Sequence, residues 1–315
     1  MTTLLVSQPN FADHQTPQGH PERADRIRAV EDALSRPRFD RLVRRDAPSG
    51  DLTLAELVHD DRYLALLRDA RPAEGIRQLE TDTYIAGGSM DVASTGLGGA
   101  LAALRAVLLG EAENAFCAIR PPGHHAEISR PMGFCLINTA AIVAREAQRK
   151  YGAERIAIID FDVHHGNGTQ DIFKADPGVF YASSHQMPLY PGTGSPKETG
   201  VGNICNVPLA PGSGRDAMRE AYLGSILPAL VDFGPDLILL SAGFDAHQRD
   251  PLAQLQWEGG DFSWLTGKLM DVADRACGNR IVSLLEGGYD LKGLAEGVSH
   301  HVAMLMDGAV GRLDD

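Results

Sequence analysis

The sequence predicts an α/β fold, a three-layer α/β/α arrangement around a mainly parallel sheet. Short apolar runs recur at residues 115–119 (AFCAI), 156–159 (IAII), 179–183 (VFYAS), 237–240 (LILL) and 281–285 (IVSLL). Each run is continuous rather than alternating, the pattern of a strand buried on both faces. Helical patterns cover residues 91–109, 138–151, 215–232, 261–276 and 291–306, and strands alternating with helices build a covered parallel sheet. Four of the runs also end in unusual polar residues: RPPGHH, DFDVHHGNG, SAGFDAH and EGGYD. Ligands bind beyond the carboxyl ends of strands in such sheets, so these four segments are expected to share one edge.

Ahead of the first run, PERADRIRAVEDALSR predicts a helix opening at Pro21, a favoured first position, with Ile27, Val30 and Leu34 at helical spacing. No repeat, low-complexity tract or linker interrupts the pattern, and one domain over residues 1–315 is expected.

Of the 315 residues, 43% are hydrophobic and 23% charged, a soluble globular composition with enough apolar residues for a sizeable core. A metal site in such a chain is therefore functional before it is structural. Acids outnumber bases 42 to 29 for a net charge of −13, and no run of Lys or Arg offers a footprint for a phosphate backbone. Nucleic acid is thus not an expected partner, and the acidity reads as an ordinary solvated surface ahead of a device for steering cations. Cys117, Cys135, Cys205 and Cys277 form no C-x-x-C pair, and MTTLLVSQPN lacks a basic segment followed by a long apolar one. A cytoplasmic protein is expected, with no membrane partner, since no apolar run approaches the ~20 residues of a span. The composition leaves a homo-oligomer open.

The segment AIIDFDVHHGNGTQ, residues 157–170, runs from an apolar strand into two acids and two imidazoles. Such groups are costly to bury unless paired or bound to a metal. In extended chain, residues two apart share a side, so Asp160, Asp162 and His164 face together while Phe161 and Val163 face away. With Asp245 arriving from SAGFDAH, the set Asp162, His164 and Asp245 offers three mixed N/O ligands, the number that leaves a position for water in catalytic zinc sites. Oxygen-rich ligation keeps iron(II), cobalt and manganese open as alternatives. The competing reading, acids that merely cap the helix GTQDIFKAD, explains Asp-x-His but not its parallel in Asp245.

His124 and His125, behind Pro121, Pro122 and Gly123, are the imidazoles available to move a proton, and Asp160 is suited to orienting one of them. Tyr289 follows two glycines and could donate a hydrogen bond to an oxyanion opposite the metal. His165 is expected to point away from the metal and to be structural, and Thr169 to begin the next helix.

With these residues assembled, the chain resembles the zinc-dependent histone deacetylase superfamily, which includes bacterial acetylpolyamine amidohydrolases and acetoin-utilisation proteins. The resemblance is carried by GHPERADRIRAVEDAL, RPPGHHAE, MGFCLINTAAIVA, IIDFDVHHGNGTQ, YPGTG, SAGFDAH and EGGY, in that order over residues 19–289. It implies an arginase/deacetylase-like fold and a zinc-dependent deacetylase that releases acetate from acetyl-lysine side chains, in peptides or proteins, or from acetylated small amines. By resemblance, Asp162, His164 and Asp245 hold zinc, His125 is general base and acid, His124 paired with Asp160 is its electrostatic partner, and Tyr289 polarises the scissile carbonyl. Asn167 stands where the class I branch has Asp, which places the chain with class II-like members. Gly133, Phe134 and Tyr190 would line the acyl tunnel, with Leu252 at its rim and Asp82 holding the substrate backbone or amine. Leu252 differs from the acidic gatekeeper of one polyamine-selective branch, which leans against acetylpolyamines. The family also holds structural potassium: one site at Asp160, Asp162, His164, Ser183 and Ser184, a second at Phe173, Asp176, Val179 and Asn203.

Two rival readings have distinct signatures. A binuclear manganese hydrolase of the arginase type needs further carboxylates, but position 166 is Gly and position 247 is His. A non-catalytic binder of acetyl groups would need neither His125 nor Tyr289.

Overall fold

The structure is a computed structural model that describes residues 1–308; residues 309–315 of the expected domain lie outside the described residues. The strands are β1 (Thr3–Ser7), β2 (Val43–Asp46), β3 (Ile76–Gln78), β4 (Tyr84–Ala86), β5 (Asn114–Ala118), β6 (Ile156–Asp160), β7 (Val179–Gln186), β8 (Ile204–Leu209), β9 (Leu237–Ala242) and β10 (Ile281–Leu285). The helices are α1 (Asp25–Leu34), α2 (Asp61–Ala70), α3 (Ser89–Leu108), α4 (Thr139–Tyr151), α5 (Asn167–Phe173), α6 (Arg215–Ala221), α7 (Leu227–Phe233), α8 (Gly259–Cys277) and α9 (Leu291–Asp307).

Eight strands form one parallel sheet in the order β2-β1-β5-β10-β9-β6-β7-β8, while β3 and β4 pair as a separate antiparallel ribbon. Both faces of the sheet's central strands are buried. In β6, Ala157 and Ile159 pack with Phe262, Leu265 and Val298 of α8 and α9, and Ile156 and Ile158 with Leu97, Leu104, Ile142 and Val143 of α3 and α4. Two helical layers around the sheet give the expected α/β/α architecture, and each expected strand lies where its apolar run placed it.

The differences have local causes. The helix expected from Pro21 starts at Asp25, because Glu22 turns inward to a buried pair with Arg120 at 2.6 Å instead of continuing a helical face. The strand β1 was not expected, nor were β2 and β8, which close the edges where burial is partial or absent. An edge also admits Pro208 within β8, since a missing N–H costs no ladder bond on the open side. The helix expected over residues 215–232 is broken by a π turn at Tyr222–Ile226, just before Pro228, whose ring nitrogen cannot donate to the preceding turn. The helix after His165 begins at Asn167, two residues ahead of Thr169.

By length and composition alone, α3 is apolar enough to span a bilayer. Within the fold, 67% of its most apolar 18-residue window is buried, packed in the core beside β5 and α4.

Candidate active site

Four strand ends deliver the polar segments to one edge of the sheet, as their positions in the sequence predicted. β6 stops at Asp160, yet Phe161 and Val163 still enter the core while Asp162 and His164 turn the other way. Asp162 Oδ1 accepts hydrogen bonds from His164 N at 2.9 Å and lies 3.0 Å from its Nδ1, fixing the ring against the carboxylate. Asp245, beyond β9, accepts from Val163 N through Oδ1 at 2.8 Å. Its Oδ2 is buried without a hydrogen-bond partner, 3.2 Å from His164 Nδ1.

One ligating atom each from Asp162, His164 and Asp245 falls within 4.8 Å of the others, all three side chains being buried. The loop after β10 closes over them: Gly287 N donates to Asp162 Oδ2 at 2.8 Å. A Cβ at position 287 would overlap both carboxylates, so only glycine permits this approach. A buried orphan oxygen beside a second carboxylate and an imidazole is a donor set suited to a divalent metal.

The His124 and His125 rings lie with centroids 4.0 Å apart, but their surroundings shift their pKa values in opposite directions. Burial disfavours the cation at His124, yet Asp160, Asp162 and Glu286 overcome it and raise its pKa well above the usual value. Its Nδ1 meets Asp160 Oδ2 at 3.0 Å and its Nε2 lies 3.8 Å from Asp162 Oδ1. For His125, burial and then the charges of His124 and His164 push the pKa well below the usual value. His125 Nδ1 lies 2.8 Å from Asn167 Oδ1, and Asn167 Nδ2 donates to Glu127 Oε1 at 2.7 Å. That second bond fixes which end of the amide faces the ring. His125 Nδ1 must then be the donor, and Nε2 carries the lone pair.

Tyr289 is buried, and burial followed by the nearby carboxylates raises its phenol well above the ordinary range, keeping it a donor. Arg26 holds its loop from behind, donating through Nε to Gly288 O at 2.7 Å and through Nη2 to Glu286 O, with Cζ 5.0 Å from the Tyr289 ring centroid.

A cavity of about 190 Å³ is lined by Asp82, His125, Gly133, Phe134, His164, Leu189, Tyr190, Leu252 and Tyr289. All five residues expected around an acyl tunnel are there. The Phe134 and Tyr289 rings meet edge to face at 5.6 Å, and Tyr190 stands edge-on to His125 at 5.2 Å. Gly133 and Phe134 both have positive φ, 56° and 70°. Position 133 also admits only glycine because a Cβ would strike the His125 ring; Phe134, where a side chain is strained, is held by a bond from its N to Thr83 Oγ1 at 3.0 Å. Asp82 accepts from Gly133 N at 3.2 Å and so braces this wall from the rim. A larger depression of about 420 Å³, between Arg36, Phe39 and His300, contains no comparable cluster; chemistry rather than volume locates the site.

His165 turns away as expected, to Thr193 Oγ1 at 2.7 Å and Gln170 Oε1 at 3.0 Å. Of the residues expected around a first potassium ion, Ser183 pairs in register with Asp160 on the adjacent strand, and Ser184 Oγ meets Tyr222 OH at 2.9 Å. The residues expected around a second potassium ion also come together. The carbonyl oxygens of Phe173, Asp176 and Val179 converge, at 2.8, 2.9 and 2.8 Å, on the side-chain nitrogen of Asn203. Its Oδ1 accepts from Val201 N at 3.2 Å, which fixes the amide orientation. Its two N–H groups can serve two of these three carbonyls at a time.

Sequence reading missed Glu286, whose Oε2 accepts from Gly123 N at 2.6 Å and His124 N at 3.2 Å, and Tyr181, whose hydroxyl donates to Asp160 Oδ2 at 3.0 Å. Glu286 could have been found as the acid that opens EGGY; Tyr181 lies inside an apolar run and gave no such signal.

Comparison with known proteins agrees with this geometry. A family model described as a histone deacetylase domain matches residues 20–305. A histone deacetylase-like amidohydrolase of Pseudomonas aeruginosa is 41% identical over 254 residues, covering 79% of this chain and 67% of that protein. A probable deacetylase of Archaeoglobus fulgidus is 38% identical over 300 residues, covering 93% and 83%. The crystal structure of the HDA15 HD domain superposes with a TM-score of 0.91 at 32% identity, over 98% of this chain and 89% of that one. With the match running through nearly every strand and helix that shapes the cavity, the chain belongs to the histone deacetylase family of deacetylases and amidohydrolases.

Proposed function

We propose that this protein removes acetyl groups from acetyl-lysine side chains or similar linear acylated amines, with zinc held by Asp162, His164 and Asp245. The observation that carries the reading is geometric: the buried cluster of Asp162, His164 and Asp245 lies at the same small cavity that His125, fixed by Asn167, and the Tyr289 phenol line. When bound, the ion would lower the pKa of water and polarise the acyl carbonyl, and iron(II) or cobalt could do the same.

The chain's own residues supply the remaining steps. His125 takes the proton of the attacking water on Nε2, the atom left free by the Nδ1 bond to Asn167. A positioned base of this kind contributes about 10² to 10⁴-fold. Tyr289 donates to the carbonyl oxygen as negative charge develops on it. His124, cationic between Asp160 and Asp162, keeps the neighbouring imidazole neutral until that proton arrives. His125 then returns the proton to the leaving amine. Asp82, at the mouth, would hold the backbone or amine of the substrate. A potassium ion at Asp160, Asp162, His164, Ser183 and Ser184 is proposed as a structural partner of this loop.

The test is acetate release, with zinc, iron(II) or cobalt supplied, from acetyl-lysine peptides, acetylputrescine, acetylspermidine and longer acyl chains. Turnover lost in both Tyr289→Phe and His125→Ala supports the mechanism, and turnover surviving in both overturns it. Acetylpolyamines remain a second reading, favoured by the acidic rim at Asp82 and disfavoured by Leu252, which offers a second ammonium no partner. Tight binding of these amides without turnover would instead indicate a binding protein.

A further inference from the structure

Asp250 lies between β9 and α8, outside the metal triad and the histidine pair, and only 7% of it is exposed. Its two carboxylate oxygens serve two different walls of the cavity. Oδ2 accepts from Tyr289 N at 2.7 Å and Asp290 N at 3.3 Å, and Oδ1 accepts from Leu252 N at 3.0 Å. We propose that Asp250 is a positioning residue that fixes Tyr289 against the acyl carbonyl and couples it to Leu252 at the tunnel mouth; this rests on the amide-hydrolysis reading above.

The geometry explains why Tyr289 needs such a brace. β10 ends at Leu285, and Tyr289 is reached through Gly287 and Gly288, the latter at φ 124°, a stretch with no side chains to anchor it. Arg26 holds the carbonyl side of that stretch through Gly288 O. Asp250 holds the N–H side, at the residue whose phenol enters the cavity. The Asp250 loop is itself tied down: Asp250 N donates to His247 O at 2.8 Å, and Arg249 Nε donates to Asp290 Oδ1 at 3.0 Å.

Three N–H donors meet one side chain, and a carboxylate accepts on both oxygens with no donor of its own. An amide of the same shape would place an NH₂ against either the Tyr289 or the Leu252 N–H. One wall must then loosen, and a displacement near 1 Å at a reacting group can cost about 10²-fold.

The experiment is a double-mutant cycle between Asp250→Asn and Tyr289→Phe, with kcat and KM for an acetyl-lysine peptide and amide hydrogen exchange followed across residues 286–291. Asp250→Asn should lower kcat ~10- to 100-fold with a smaller change in KM, and lower it less than ~3-fold when Tyr289 is already Phe. Exchange across residues 286–291 should quicken by ~10-fold or more. Equal losses in both backgrounds, or unchanged exchange, overturns the proposal. Should Asp250→Asn fail to fold, Asp250→Ser keeps one acceptor and takes its place. A wild-type protein without turnover would defeat the amide-hydrolysis reading alone, and the exchange measurement would still decide whether Asp250 holds the Tyr289 loop.

Discussion

At the floor of the cavity Asp160, Asp162 and Asp245 are fully buried, and each accepts at least one hydrogen bond from a backbone N–H. At the mouth, Tyr190 is 39% exposed, Leu252 is half-buried, and both sit on loops that follow strands rather than at the strand ends themselves. The floor is thus fixed by the parallel sheet, where moving one group unpairs another buried one. The mouth is fixed by loops, where a side chain can change without disturbing the ladder. Under the proposed function, reaction type belongs to the first region and choice of substrate to the second.

The largest effect that could break this division comes from the floor. Asp162→Asn or His164→Ala should abolish acetate release and reduce bound zinc, measured by metal analysis, to well below one per chain. Retained stoichiometric zinc with lost turnover would move the metal elsewhere. Tyr289→Phe follows, with kcat lower by ~10² to 10³-fold and KM little changed, the size expected for one lost oxyanion donor.

Mouth substitutions should be milder and should depend on substrate. Asp82→Ala is expected to raise KM by ~10-fold for acetyl-lysine peptides while changing kcat less. Leu252→Glu should raise kcat/KM for acetylspermidine relative to a neutral acetyl amide by several-fold, and less so at high salt. A uniform loss across all amides in either variant would erase the distinction between floor and mouth.

The smallest effect concerns stability in acid, and it separates burial in general from burial at the floor. Burial lowers the pKa of His14 and His59 to about 4 and of His301 to about 3. All three are neutral in both folded and unfolded chains above about pH 6.5, so they contribute no pH dependence there. Below that the unfolded chain takes up protons that the folded one refuses, and stability falls until the pH reaches 3 to 4. Each histidine contributes roughly 1.4 kcal/mol per pH step across its own window. Thermal unfolding should show Tm dropping from pH 6.5 to 4, less steeply in His301→Phe; the same slope in that variant would exclude His301 as a source.

Much of this was readable before any coordinates. The five central strands announced themselves because burial on both faces demands continuous apolar runs, and the polar groups that follow them had no other reason to be there. β2 was illegible because an exposed edge strand, VRRD, carries no apolar pattern. The π turn before Pro228 was hidden because apolar spacing alone does not distinguish a widened turn from a regular one. Within the site, residues that present side chains to the cavity stood out in sequence. Asp250, which acts through backbone N–H groups, did not, because its partners are atoms every residue possesses.

Asn203 has a consequence for how the turn between α5 and β7 is held. The carbonyls of Phe173, Asp176 and Val179 all lie within 2.8 to 2.9 Å of one side-chain nitrogen, so a single amide ties three points of that turn together. Its removal in Asn203→Ala should loosen all three at once, read as faster amide exchange across residues 173–179.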